Sequence, residues 1–145
     1  MTAPVFAGPV DYAVFTFPLG ASLHSGLLAV RERVSAGMID VLDIDAVRRG
    51  DDDRGERMPL PEVLDVDHPD IQQLVAAQSF LLDDEDLTDI ATELGASRYA
   101  LVIVYEDRSL APAAEAFALA GGLELFSGAM DIADLQTVVE KEDIS

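Results

Sequence analysis

Cysteine is absent from this chain of 145 residues, and lysine occurs once, at Lys141. The absence of cysteine excludes disulfides, thiol nucleophiles and cysteine-ligated zinc or iron–sulfur sites. The single lysine leaves no P-loop sequence and no interior amine for Schiff-base chemistry. Several common classes of enzyme are therefore excluded, and we expect no cofactor.

Basic residues are scarce as a class. The chain has 28 acidic and 9 basic residues, a net charge of −19. Such a surface repels nucleic-acid phosphates and anionic lipid headgroups, so we expect neither nucleic acid nor membrane as a partner. A basic protein partner fits this charge, although a solvated acidic shell is the more common reason for such a pattern.

Long apolar runs are also missing. The longest uncharged run, 110–123, is interrupted only by Glu115 and is too short to span a bilayer. The first residues lack the basic region and apolar stretch of a signal peptide. The sequence therefore predicts a soluble cytoplasmic protein, large enough for a hydrophobic core of its own.

Two stretches of the chain repeat one pattern. An apolar segment at 12–17 leads through helical spacing to Ala36-Gly37 and a further apolar segment, and 99–104 leads in the same way to Ala120-Gly121. Each half predicts strand, helix, turn and strand, a βαβ unit used twice. The sequence predicts one α+β domain over 1–145 with a ferredoxin-like sandwich fold, its repeat halves at about 10–48 and 98–130 and an insertion at about 49–95. This fold hosts many unrelated functions.

The first strand of each half is predicted to be central in the sheet. Segments 10–18 and 99–105 are apolar at odd and even positions, as strands covered on both faces are. Segments 39–48 and 123–130 are more mixed, and Asp43 and Asp45 share a face, so these two are predicted as edge strands. A short edge strand is also predicted near 57–63, weakened by two prolines.

Apolar residues at helical spacing predict five helices. Gly37 occupies the position of a C-terminal cap after the first helix, and Asp83 to Asp86 place negative charge at the start of the third. The predicted helices lie at about 23–34, 71–82, 87–94, 109–120 and 132–139.

Short motifs along the chain resemble a family of small soluble, mostly actinobacterial proteins of unknown function. The likeness is carried by Gly8-Pro9-Val10-Asp11-Tyr12, Phe17-Pro18, 37–43, 82–87, 99–107 and Ala120-Gly121-Gly122. That family is similar to a glycine-zipper group labelled predicted membrane proteins, whose members carry a glycine-rich apolar segment between the two halves. Here a charged stretch at 49–69 stands in its place, so membrane insertion does not carry over. The resemblance implies a ferredoxin-like domain and a bacterial origin, and it implies no reaction.

A candidate ligand site follows from the predicted strand ends. Both central strands are expected to end on one edge of the sheet and to lead into helix N-termini, whose free N–H groups favour anions. Ser22, His24, Glu106 and Arg108 are the candidate ligand-binding residues, with Arg108 assisting an anionic metabolite and Glu106 orienting a donor. The structural alternative is that Asp107 or Ser109 caps the helix while Arg108 pairs with Glu106.

A candidate metal site lies in the insertion. Asp65, Asp67 and His68, with Asp70 nearby, form the densest cluster of possible ligands in the chain. Asp70 also reads as a helix N-cap, and this interpretation competes with the metal site.

The apolar strands point to a function in assembly. A ferredoxin-like sheet carries helices on one face only, so the second face needs cover from the inserted second helix, from the terminal helix or from a second subunit. We expect a non-enzymatic assembly or regulatory module that forms a homodimer or larger homo-oligomer. The alternatives are a small-ligand sensor at the anion site and a dimeric α+β barrel enzyme that uses His24 or His68.

Overall fold

The computed structural model describes residues 6–126 and 128. Within them a sheet of four strands is combined with four α-helices and a short 3₁₀ helix, Leu60–Glu62. In chain order the elements are β1 (Val10–Pro18), α1 (His24–Ser35), β2 (Ile39–Arg49), β3 (Gly55–Met58), α2 (Pro69–Val75), α3 (Asp84–Thr92), β4 (Arg98–Asp107) and α4 (Ala111–Leu119).

The strands lie in the order β1-β4-β2-β3, and every neighbouring pair is antiparallel. β1 and β2 therefore run parallel with β4 between them, and α1 connects them. This is the split βαβ arrangement of a ferredoxin-like fold. The predicted α+β fold class is confirmed, and so is the prediction that β1 and β4 are neighbours.

One face of the sheet carries the larger part of the core. Leu23 and Leu27 of the α1 region, and Ile71 and Leu74 of α2, are buried there. They pack against side chains of β2 and β4 that point to this face, chiefly Ile44, Ala46, Tyr99, Leu101 and Ile103. The two helices therefore cover this face over the inner strands.

The second face is covered by α3. Leu87 and Ala91 of α3, with Leu94 after it, form a buried cluster with β2 and β4 residues Val47, Ala100 and Val102. The helix begins with a capping box, in which Asp83 and Asp86 each accept the other's backbone N–H. The expected cover from the inserted second helix is wrong, because α2 packs beside α1 on the first face and the third helix, α3, covers the second face over the inner strands.

The segment between α2 and α3 is not helical, although the sequence predicts helix as far as residue 82. α2 ends at Val75, and Phe80 has a φ of 56°. A left-handed backbone at a bulky residue cannot continue an α-helix. Residues 78–82 instead form a non-helical linker between α2 and α3.

The predicted strand positions need two corrections. β2 is not an edge strand, because it lies between β4 and β3, and its Asp43 and Asp45 are 1% and 0% exposed. β4 is buried on both faces as predicted, whereas β1 is the outer strand of the described sheet.

The C-terminal predictions are met only in part. The fourth helix forms as α4, with Pro112 tolerated in its first turn. No strand forms over the described residues 123–126 of the predicted strand 123–130. The final predicted helix, at 132–139, lies outside the described residues. The inserted edge strand is found at Gly55–Met58, N-terminal to its predicted position, because a 3₁₀ helix begins at Leu60.

Candidate functional site

The antiparallel sheet separates the four predicted ligand-binding residues. β1 has nine residues and spans about 27 Å. Glu106 is paired with Val10 at the start of β1, and Arg108 follows it. Ser22 and His24 follow the opposite end of β1. The expectation that both strands end on one edge is therefore wrong: the two pairs of residues lie at opposite ends of the sheet, because the strands that lead into the helices are antiparallel.

Arg108 is held by contacts within the chain. Its Nη1 donates to the carboxylate of Glu106 and to the carbonyl oxygen of Phe6, and its guanidinium lies 5.4 Å from the centre of the Phe6 ring. Its backbone N–H donates to the carbonyl of Met38 at 2.9 Å. This is the structural alternative predicted for the Arg108–Glu106 pair, and it ties the N-terminal segment to the end of β4.

Asp107 organises the turn before α4. Its carboxylate accepts hydrogen bonds from the hydroxyl and the backbone N–H of Ser109, and these bonds hold the pKa of Asp107 below its ordinary value. The N-cap of α4 is Leu110, which has no side-chain cap. Asp107 thus shapes the turn without capping the helix.

The predicted metal ligands serve local structure. Asp65 accepts the backbone N–H of Asp67 at 3.2 Å, and His68 Nδ1 accepts that of Asp70 at 3.2 Å. His68, and not Asp70, is the N-cap of α2, with Pro69 at its first position. Residues 6–126 and 128 contain no group of three or more His, Asp and Glu side chains placed to hold a metal ion.

The structure brings two of the predicted residues together in a way that sequence spacing does not show. The imidazole rings of His24 and His68 meet edge to face, with their centres 5.0 Å apart. One ring stands at the start of α1 and the other at the start of α2, 44 positions later in the chain. The contact joins two helices that share one face of the sheet.

Asp43 and Asp45 are the most deeply buried charged groups of the described residues. Asp43 accepts backbone N–H groups from Ile44, Ser79 and Leu81 at 2.8–3.0 Å. Asp45 accepts from Gln78 Nε2 at 2.8 Å and from Arg57 Nε at 3.1 Å. Burial raises the pKa of Asp45, and the hydrogen bonds from Gln78 and Arg57 act against that rise. The two carboxylates fasten the 78–82 linker to β2.

The two edges of the sheet differ sharply. β3 is four residues long, bears Glu56 and Arg57, and lies under α3, where Thr88 Oγ1 accepts the Gly55 N–H at 3.1 Å. β1 is nine residues long and carries one charged residue, Asp11. Proteins usually blunt a sheet edge by making it short, charged or covered. The β3 edge has all three protections. The β1 edge is long and carries one charge, Asp11, and Arg98 donates to it at Thr16.

Alternate residues of β1 direct their backbone polar groups away from the sheet. In an antiparallel pair, hydrogen-bonded and non-bonded residue pairs alternate. The Leu19 N–H donates to the Ser97 carbonyl and the Asp107 N–H to the Pro9 carbonyl, which places the odd-numbered residues of β1 in bonded pairs. The even-numbered residues with an outward N–H are therefore Val10, Tyr12, Val14 and Thr16.

Apolar side chains flank this edge on both faces of the sheet. On the second face, Tyr12 is 74% exposed and borders a groove of about 320 Å³ between β1 and α3. On the first face, Phe15 is 52% exposed and borders a groove of about 220 Å³ between β1 and α1. We call the exposed apolar residues Val10, Tyr12, Val14 and Phe15 the β1 surface.

A second apolar region surrounds α4, which has no buried residue. Phe117 and Leu119 of α4, with Leu125 and Phe126 beyond it, are largely exposed. The helix and residues 122–126 enclose an apolar cavity of about 490 Å³ against Phe6 and Pro9. This region is a helix followed by an irregular segment, whereas the β1 surface lies on a strand edge.

No helix among the described residues is long and apolar enough to cross a membrane. Comparison with protein-family models, with curated proteins and with solved structures found no match to this chain. The function is therefore argued from the geometry of the chain itself.

Proposed function

We propose that this protein is a non-enzymatic assembly module that forms a homodimer or larger homo-oligomer through its β1 surface. The observation that carries the proposal is the long β1 edge, which presents apolar side chains on both faces and outward N–H groups between them. Burial of each large apolar side chain is worth about 1.5–3 kcal/mol. The four residues of the β1 surface thus offer enough free energy for a specific contact.

The charge of the chain supports this location. Two copies with a net charge of −19 each repel one another. A contact between copies is favoured where charge is lowest, and β1 bears a single carboxylate in nine residues. The acidic remainder of the surface stays in solvent, where it limits further association and is suited to a basic protein partner.

The geometry supports assembly better than the sensor and enzyme alternatives. The residues expected to bind an anion lie at opposite ends of the sheet, and the described residues hold no group of three or more His, Asp and Glu side chains placed for a metal ion. An assembly role requires neither site.

Sedimentation equilibrium of the wild-type chain, Tyr12→Asp and Leu119→Asp tests the proposal. Both variants place one carboxylate at an exposed apolar position, so they match in charge. We expect the wild type to self-associate, Tyr12→Asp to weaken association at least tenfold, and Leu119→Asp to leave it unchanged. A wild type that stays monomeric, or a larger effect from Leu119→Asp, contradicts the proposal.

A further inference from the structure

We infer that β1 of one copy pairs antiparallel with β1 of a second copy, with Val14 on the two-fold axis, so that two four-stranded sheets become one sheet of eight strands. This inference rests on the proposed function and specifies its contact. It follows from three properties of β1: its outward backbone groups, the position of its one charge and the order of its large and small side chains.

The backbone groups of β1 are complementary to themselves in this register. Val14 faces Val14 of the second copy, and Tyr12 faces Thr16 of the second copy. All three residues direct N–H and C=O outward, so each of these pairs is a hydrogen-bonded pair. The Thr16 carbonyl already accepts Arg98 Nη2 at 2.9 Å, and a carbonyl has a second lone pair for the new bond. Pro18, which has no N–H, ends the ladder.

The single charge of the strand selects the antiparallel direction. With Val14 on the axis, Asp11 faces Phe17 of the second copy. The two Asp11 carboxylates then stand six residues apart along the seam, about 20 Å. An in-register parallel pairing places them side by side, where like charges destabilise a strand pair.

Side-chain sizes alternate in the same register. Phe15 faces Ala13 of the second copy, so a large ring lies beside a methyl group on the first face. Tyr12 lies beside Thr16 of the second copy on the other face. A two-fold axis perpendicular to the sheet keeps like faces on the same side, and the grooves beside α1 and α3 in each copy border the new seam.

The absence of cysteine allows a direct test by cross-linking. Val14→Cys places two thiols at a hydrogen-bonded pair with Cα atoms about 5.5 Å apart, within the range that a disulfide bridges. Asp11→Cys is the matched control on the same strand. Under mild oxidation we expect Val14→Cys to form a disulfide-linked dimer and Asp11→Cys to remain unlinked. Cross-linking of Asp11→Cys at the same rate overturns the antiparallel register.

A second variant tests the backbone ladder itself. Val14→Pro removes an N–H that does not bond to β4, so the fold is retained, while the ladder between copies loses its central pair. We expect this variant to be monomeric where the wild type is a dimer. A dimer that persists in Val14→Pro, gives no cross-link in Val14→Cys and is still weakened by Tyr12→Asp uses the β1 surface without the strand ladder: the proposed function then stands and this inference fails.

Hydrogen exchange tests whether another segment of the same chain, and not a second copy, covers the β1 edge. In the dimer the Tyr12 and Val14 amides are protected, and dilution to the monomer exposes them. Protection of both amides in a monomeric wild type shows that the chain covers its own edge and overturns both the inference and the proposed function.

Discussion

Asp43 on β2 accepts a hydrogen bond of 2.8 Å from the backbone N–H of Ser79, 36 residues further along the chain. Its other carboxylate oxygen accepts the Leu81 N–H at 3.0 Å. A buried carboxylate that accepts several backbone N–H groups satisfies donors that would otherwise be left unpaired. These bonds fix the linker that carries the chain from α2 on one face of the sheet to α3 on the other.

Removal of this carboxylate is expected to destabilise the fold. Asp43→Ala leaves the N–H groups of Ser79 and Leu81 without their acceptor, and each unsatisfied buried group costs about 1–3 kcal/mol. Urea unfolding should show a loss of about 2–4 kcal/mol in the free energy of unfolding, allowing for partial solvation of the linker. Asp51→Ala, in an exposed loop, is the control and should change this free energy by less than about 0.5 kcal/mol. Equal losses in the free energy of unfolding of the two variants would contradict the role of Asp43 in holding the 78–82 linker.

Asp45 gives the fold a pH dependence of definite sign. Burial raises the pKa of this carboxyl in the folded state above the unfolded value of about 3.9. The contribution of Asp45 to the free energy of unfolding is therefore fully present below that value, and it is lost as pH rises through the folded-state pKa. Relative to Asp45→Asn, which does not titrate, the wild type should be most stable near pH 3.5 and lose this advantage toward pH 7. Urea titrations of both proteins across this range measure the difference, and an advantage that grows with pH contradicts the assignment.

Substitution by alanine is expected to have opposite effects on stability at two glycines. A Cβ on Gly55 would lie 2.0 Å from the Leu87 carbonyl oxygen of α3, whereas a Cβ on Gly26 of α1 meets nothing within 4 Å. Gly55→Ala should displace α3 from β3 and lower the free energy of unfolding by about 1–3 kcal/mol. Gly26→Ala should raise it by about 0.5–1 kcal/mol. Thermal unfolding of the pair measures both signs, and a neutral Gly55→Ala shows that α3 does not lie against β3.

Local patterns predicted much of this fold. The repeat predicted the split βαβ unit, and Gly37, with its φ of 73°, ends the α1 region as expected. The sequence could not reveal that Asp43 and Asp45 are buried, because alternating acids resemble an exposed face until their partners 33 to 38 positions away are known. The periodicity of apolar residues also does not determine strand direction, so it could not show that Ser22 and Arg108 are at opposite ends of the sheet.

Salt should strengthen association if the β1 surface is the contact. Raising the ionic strength from about 0.01 M to about 1 M shortens the Debye length from about 30 Å to about 3 Å. Repulsion between two chains of charge −19 is then screened, while burial of apolar side chains is retained. The dissociation constant from sedimentation equilibrium should fall as salt is added. A dissociation constant that rises with salt indicates a contact held by ion pairs, and it contradicts an apolar contact at the β1 surface.

The native mass of the wild-type chain decides whether it self-associates, and it is measured by light scattering on the eluate of a size-exclusion column at micromolar concentration. The chain mass is 15.5 kDa. We expect a species of twice that mass or a higher multiple. A single monomeric species at low and at high salt contradicts this expectation.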